Sequence, residues 1–279
     1  MNEFLPSFFS ERVDRLMLGI ESLDALRAGR IAQPIDVVLD GVPALSSASW
    51  LPMDSARLWD GLFGVPDAIG GLTRIPRHNS CRHALLFRTG MHTPITIRLF
   101  DRQRRFAPRR IRYPVPADIR TAAPRVRRPA LYPGAAYAVS DAVTGMRGRV
   151  TWNQPAAGEV PARWVRVEAR INGQVVGRAH GDDRGEFLLL LDSSAGGLGD
   201  LPSPLSAQVT VFGPALPPTA PADDPLGDLP VEVLLTDPDD ISPGQKLPPG
   251  YASTASSSRQ VDFQLGRLLI QQSKFFFNP

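Results

Sequence analysis

The sequence predicts an all-β protein organised as two β-sandwich domains, and three observations carry that expectation. Glycine (24) and proline (28) make up about a fifth of the 279 residues, against a usual ~12%, which calls for many turns and short strands. Apolar residues recur at period two, as where Ile95, Ile97 and Leu99 alternate with Thr96 and Arg98; this marks a strand buried on one face. Between such runs lie hairpin turn dipeptides, Asn172-Gly173 above all, because Asn and Gly both tolerate positive φ. An apolar fraction of 43% and a charged fraction of 21% fit a folded chain and exclude a disordered one. With 13 Phe and 4 Trp there is core material for two domains of about 100–150 residues.

The elements follow in order. Residues 1–12 form an N-terminal arm with Phe4, Phe8 and Phe9, where Pro6 interrupts any helix. The first sandwich domain spans 13–117, with strands expected at 15–21, 35–39, 84–88 and 94–100, and a last one through Ile111, Tyr113 and Val115. Its segment 43–77, broken by Pro43, Pro52, Pro66, Pro76 and Gly70-Gly71, reads as a long excursion with one helical turn near 55–62. Residues 118–134 are basic and carry Pro124, Pro129 and Pro133, so they are expected to be an extended linker. The second domain spans 135–272, with strands at 148–152, 164–171, 174–180, 186–191, 207–212 and 231–235. A surface loop at 237–258 precedes a final alternation through Val261, Phe263 and Leu265, extended by 268–270. The tail, 273–279, holds Phe275-Phe276-Phe277.

Charge is segregated along the chain. Ten arginines lie between Arg102 and Arg128, opposed only by Asp118, while Asp223 to Asp240 holds seven carboxylates and no Lys or Arg. Lysine occurs only at 246 and 274, so positive charge is almost all guanidinium, suited to fixed bidentate contacts with carboxylates. The single cysteine, Cys81, excludes an internal disulfide. The first residues lack the apolar run of a secretory signal, and no stretch reaches the ~18 apolar residues of a membrane helix. The expected residence is the cytoplasm, or a particle assembled there.

The runs Gly148-Arg149-Val150, Trp164-Val165-Arg166-Val167 and Gly181-Asp182-Asp183-Arg184-Gly185-Glu186-Phe187-Leu188-Leu189 resemble the carboxypeptidase regulatory-like (transthyretin-like) β-sandwich. That family has a G-x-V strand opening, a strand of alternating valines and a D-x-x-G turn followed by an aromatic and an aliphatic residue. Gly185 permits a left-handed turn residue, Asp182 or Asp183 can accept its backbone N–H bonds, and Phe187 anchors the next strand. Residues 23–32, 84–87 and 93–100 resemble a degraded copy that lacks the D-x-x-G-x-F turn. The resemblance implies two immunoglobulin/transthyretin-like sandwiches, modules that usually serve as non-catalytic spacers and docking platforms. Two such modules with an arginine-rich joint at 102–112 are also similar to accessory structural proteins of phage tails and contractile injection systems.

His78, Cys81 and His83, with His92 beyond, are the ligand-like cluster. A zinc site needs three or four groups converging tetrahedrally, and no second pair exists, so Cys81 reads as a small buried hydrophobe and no metal or cofactor is expected. Asp182, Asp183 and Glu186, and likewise Asp237, Asp239 and Asp240, lack the glycine placement of a calcium loop. They read as a hairpin turn and a solvated loop. No nucleophile elbow, phosphate loop or H-E-x-x-H appears, so no enzyme is expected. Only Phe106 and Tyr113 interleave the arginine stretch, and the acidic run would repel DNA, so protein contact is favoured over nucleic acid.

The candidate partner-binding residues are therefore Phe4, Phe8, Phe9, Arg104, Arg105, Arg109, Arg110, Phe275, Phe276 and Phe277. The aromatic ends either dock or fold back on the chain's own sandwiches. The expected function is a non-catalytic structural protein that assembles with other protein subunits of a larger particle, such as a baseplate, spike or cap component of a phage-tail-like injection system. A homo-oligomer is left open. The alternative is a carbohydrate- or peptide-binding module using Trp50 and Trp59.

Overall fold

The computed structural model of the chain describes residues 15–43, 68–69, 72–75, 82–87, 94–114, 125–140, 142–154, 158–192, 204–233, 247–270 and 274–278. Among them there is no α-helix, only short 3-10 turns such as Ala255–Ser257, and the expected all-β class holds.

The first half contributes β1 (Arg15–Ile20), β2 (Leu23–Asp24), β3 (Asp36–Pro43), β4 (Ala68–Ile69), β5 (Leu72–Arg74), β6 (His83–Phe87), β7 (Ile95–Phe100), β8 (Arg109–Tyr113), β9 (Val126–Arg127) and β10 (Ala130–Leu131). The second half contributes β11 (Gly145–Gln154), β12 (Gly158–Pro161), β13 (Arg166–Ile171), β14 (Gln174–His180), β15 (Glu186–Leu190), β16 (Leu205–Pro214), β17 (Val231–Val233), β18 (Tyr251–Ala252), β19 (Ser258–Phe263), β20 (Leu268–Leu269) and β21 (Lys274–Phe277).

Two sheets face each other in the second half. In one, β11 pairs with β12 and β15 antiparallel and with β20 and β21 parallel; the other runs β14-β13-β16, with β18 and β19 on the far side of β16. Period two decides which side chains meet between them. Along β16, Leu205, Ala207, Val209 and Val211 are buried while Ser206 and Gln208 face water. The two turns read from sequence form as expected: Asn172 and Gly173 both take positive φ (50° and 79°). Gly185 has φ 72°, and a Cβ there would stand 2.3 Å from the Val150 carbonyl oxygen, so glycine is required twice over.

The first half is built on a six-stranded sheet, β17-β8-β7-β3-β5-β4, with a three-stranded sheet β6-β1-β9 and the pair β10-β2 beside it. Its core, with Val37, Ile97, Leu99 and Ile111, continues into the second half because β15 is two-faced. Leu188 and Leu190 join this core, and Phe187 and Leu189 point into the other. That is why β15 reads as an unbroken apolar run rather than an alternation.

Four features depart from the expected boundaries. Strand β17, expected within the second domain, pairs parallel with β8, Glu232 opposite Ile111. The described part of the expected linker is not free: β9 and β10 pair with β1 and β2, and the carbonyls of Arg127, Pro129 and Leu131 accept the Glu21, Leu23 and Ala25 amides. Proline at 129 fits because the carbonyl, not an N–H, serves that contact. Within the expected excursion, β4 and β5 form a hairpin on β3, while the helical turn near 55–62 lies outside the described residues. The tail is a strand, β21, laid along β11 with Phe275 opposite Val150.

Candidate interaction residues and the junction between the halves

Phe4, Phe8 and Phe9 lie outside the described residues. At the other end, the parallel seat of β21 on β11 turns alternate side chains inward. Phe275 and Phe277 are 3% and 1% exposed, with rings edge-on to Phe187 at 5.9 Å and Trp152 at 5.1 Å. The Arg259 guanidinium covers the Phe275 ring at 3.9 Å. Two of the three candidate docking aromatics at this end are therefore core residues, and only Phe276, at 40%, presents itself to the outside.

The candidate arginines turn to carboxylates of their own chain. Arg104 spans Asp182 (3.2 Å) and Asp183 (3.1 Å) across the halves. Arg105 grips Asp101 through two bonds of 2.7 and 3.0 Å. Arg110 holds Asp40 at 2.8 Å and donates to the carbonyls of Gly227 (3.0 Å) and Leu229 (3.2 Å). Arg109, expected among the partner-binding residues, is fully buried. It makes two hydrogen bonds to Glu232 and one of 2.6 Å to the Ala130 carbonyl.

Glu232 is the centre of the junction. Strand β17 carries it from the second half into the first sheet, where Arg109 of β8 and Arg166 of β13 (3.0 Å) close on its two oxygens. Burial alone would push its carboxyl up; the two guanidiniums outweigh that and hold it below the ordinary range. Arg166 is fixed in turn by the Trp164 carbonyl at 2.8 Å, which also accepts the Tyr251 hydroxyl at 3.0 Å. Burial pushes that Tyr251 phenol up to about 12.

The loop that leads into β17 is tied down the same way. Arg98 lies between Asp40 (2.7 Å) and Asp224 (2.6 Å). Arg163 takes Asp228 at 2.6 and 2.9 Å, and the indole N–H of Trp164, a residue at φ 61°, donates to the same carboxylate at 2.8 Å. In the first half, Glu21 serves Arg30, Arg82 and Arg128 together. Desolvation opposes its ionisation, but these cations hold its carboxyl low. Much of the acidic run seen in sequence is thus the mate of arginines: Asp224 faces Arg98, Asp228 faces Arg163 and Glu232 faces Arg109 and Arg166, while Asp223 is exposed. Arg98, Arg163 and Arg166 escaped the sequence reading because they sit singly in strands and turns outside the dense basic stretch.

The metal candidates fare differently. His78, Cys81 and His92 lie outside the described residues; His83 is buried on β6 opposite Ile20. Among the described residues no three His, Cys, Asp or Glu groups are placed to share an ion. Asp182 accepts the Arg184 and Glu186 amides at 2.8 and 2.9 Å, which makes 182–185 the expected hairpin turn; Asp237, Asp239 and Asp240 lie outside the described residues. Chemically the junction is an ionic clamp between sheets.

No family model matches the chain, and no curated protein is similar to it. Among solved structures, a 9R-lipoxygenase from Cyanothece PCC8801 aligns with 13% identity and a TM-score of 0.24 over 49% of this chain. This chain spans only 16% of that enzyme's length. The minor pilin of the Gram-positive pathogen Streptococcus agalactiae aligns with 8% identity and a TM-score of 0.25, over 94% of this chain and 96% of the pilin. At scores this low neither neighbour assigns a fold or a role.

Proposed function

We propose that this chain is a non-catalytic structural subunit that docks onto other proteins of a larger particle, as a baseplate, spike or cap component of a phage-tail-like contractile injection system. The observation that supports this reading is the buried Arg109–Glu232–Arg166 clamp with the β17 crossover. Each keys the halves in one register, as a part that must hold its neighbours in fixed positions requires. Leu216, Leu265, Ile270 and Phe276 are the large apolar groups that the second half leaves outside among the described residues, and the last two, close together in sequence at the chain's end, fit the role of contacts to a neighbouring subunit. Truncating the chain at Lys274 would not test docking, since it removes core residues Phe275 and Phe277.

The test is assembly. A tagged chain expressed in its source organism should sediment with particles at fixed stoichiometry. The double variant Ile270→Ser, Phe276→Ser should move to the free fraction while melting like the parent protein. Recovery of the parent chain only in the free fraction would overturn the reading. The carbohydrate- or peptide-binding alternative rests on Trp50 and Trp59, which lie outside the described residues.

A further inference from the structure

Between the turn that follows Asp24 and the segments carrying Phe106 and Tyr137 lies a cavity of about 250 Å³. Its floor is apolar: Ile31 and Phe106 are buried, and the Phe106 and Tyr137 rings meet edge to face at 5.5 Å. The one carboxylate in its wall, Asp24, is already saturated by the Tyr137 hydroxyl (2.6 Å) and by the Leu26 and Arg27 amides (2.9 and 3.3 Å). Its rim is cationic. Arg105 is committed to Asp101, and Arg30 shares Glu21 with two other arginines. Arg27 has no carboxylate partner among the described residues, and its guanidinium stands 5.7 Å from the Tyr137 ring centre.

We propose that this cavity binds a carboxylate carried on an aromatic ring. An apolar cavity of about 150 Å³ suffices to hold benzene, so the volume here takes one ring and leaves room for an acid group at the mouth. Phe106 and Tyr137 give the cavity wall the aromatic surface that packs against a ring. Arg27 supplies the planar, permanently charged fork that matches a carboxylate. A phosphate would satisfy the rim and waste the floor; a neutral ring would satisfy the floor and leave Arg27 unanswered. The same chemistry comes from a free aromatic acid or from the terminal carboxylate of a protein ending in Phe or Tyr.

The experiment is a fluorine NMR titration of para-fluorophenylacetate into the whole chain, with para-fluorobenzyl alcohol and inorganic phosphate as competitors. The acid should bind saturably and be displaced by neither competitor. Arg27→Gln should weaken it at least ~10-fold, the effect of losing a charge-assisted pair. Arg112→Gln, an exposed arginine on β8 away from the cavity, should leave binding unchanged. A peptide with a free terminal Phe that displaces the probe, where its amide does not, identifies a protein terminus as ligand. Failure of that peptide with the acid still bound identifies a free acid. No saturable binding up to on the order of 10 mM, equal binding of the alcohol, or indifference to Arg27→Gln would each overturn the proposal.

Discussion

Across the second half's core, Phe187, Leu189, Phe263 and Phe277 meet between two sheets as buried apolar groups, whereas the junction with the first half is centred on Glu232, Arg109 and Arg166, equally buried and all charged. The two regions do different work. Apolar contact is non-directional and roughly proportional to area, so it stabilises many arrangements of the same sheets. A guanidinium between two carboxylate oxygens satisfies its donors in one geometry only. It contributes little net stability once desolvation is counted, but it disfavours any sliding of the halves that would leave a buried charge alone. Packing holds this molecule together; the clamp says where its halves sit.

The largest test of that contrast is Glu232→Ala. It strands two buried guanidiniums, and the expected loss is about 5 kcal/mol, the upper part of the range for breaking a buried ion pair, read from denaturant unfolding. A loss below about 1 kcal/mol would mean that the clamp is replaceable and the contrast false. Next comes Phe277→Ala, at about 3 kcal/mol, the lower part of the range for a buried aromatic because the site lies at a strand end that can partly collapse. Phe276→Ala, one residue away on the outer face, should change stability by no more than about 0.5 kcal/mol. Equal effects at 276 and 277 would mean that β21 does not seat on β11 in this register.

What could be read in advance was local. The strand expected over 164–171 forms over Arg166–Ile171, with Trp164 in a turn at φ 61° before it, and the turns at 172–173 and 182–185, which need only the φ of a glycine, form where expected. What escaped was choice among distant partners. The Val231–Val233 strand is three residues long, and nothing in it says which sheet it joins. Three consecutive phenylalanines erase the inside–outside signal, since every position is equally apolar, so only the pairing with β11 shows that 275 and 277 face in. Arg109 defied a sound prior that arginines lie outside, because its carboxylate stands 123 residues further along the chain. The acidic run announced that mates existed without naming them.

An effect as small as that at Phe276 sharpens the comparison at the junction's exposed end. Arg104 is half-exposed, so its bond to Asp183 is screened, and Arg104→Gln should cost only about 0.5 kcal/mol at neutral pH. Its pH dependence tells more. Burial alone would push the Asp183 carboxyl up, but the hydrogen bond and charge of Arg104, aided by Arg163, hold it below its ordinary value of 3.8. A carboxylate with a lower pKa folded than unfolded adds stability that is complete above the unfolded value and is lost as pH falls through the folded one. The gap between parent and Arg104→Gln should therefore be constant from neutral pH down to mildly acid buffer and close below 3.8. In Glu232→Ala the larger gap should shrink in acid too, since the parent's Glu232 also titrates low, yet persist further because losing the carboxyl also empties a packed site. An Arg104→Gln gap that stays open in strong acid would mean that this arginine acts through its packed stem rather than its charge, which would place the exposed end of the junction with the apolar core instead of with the clamp.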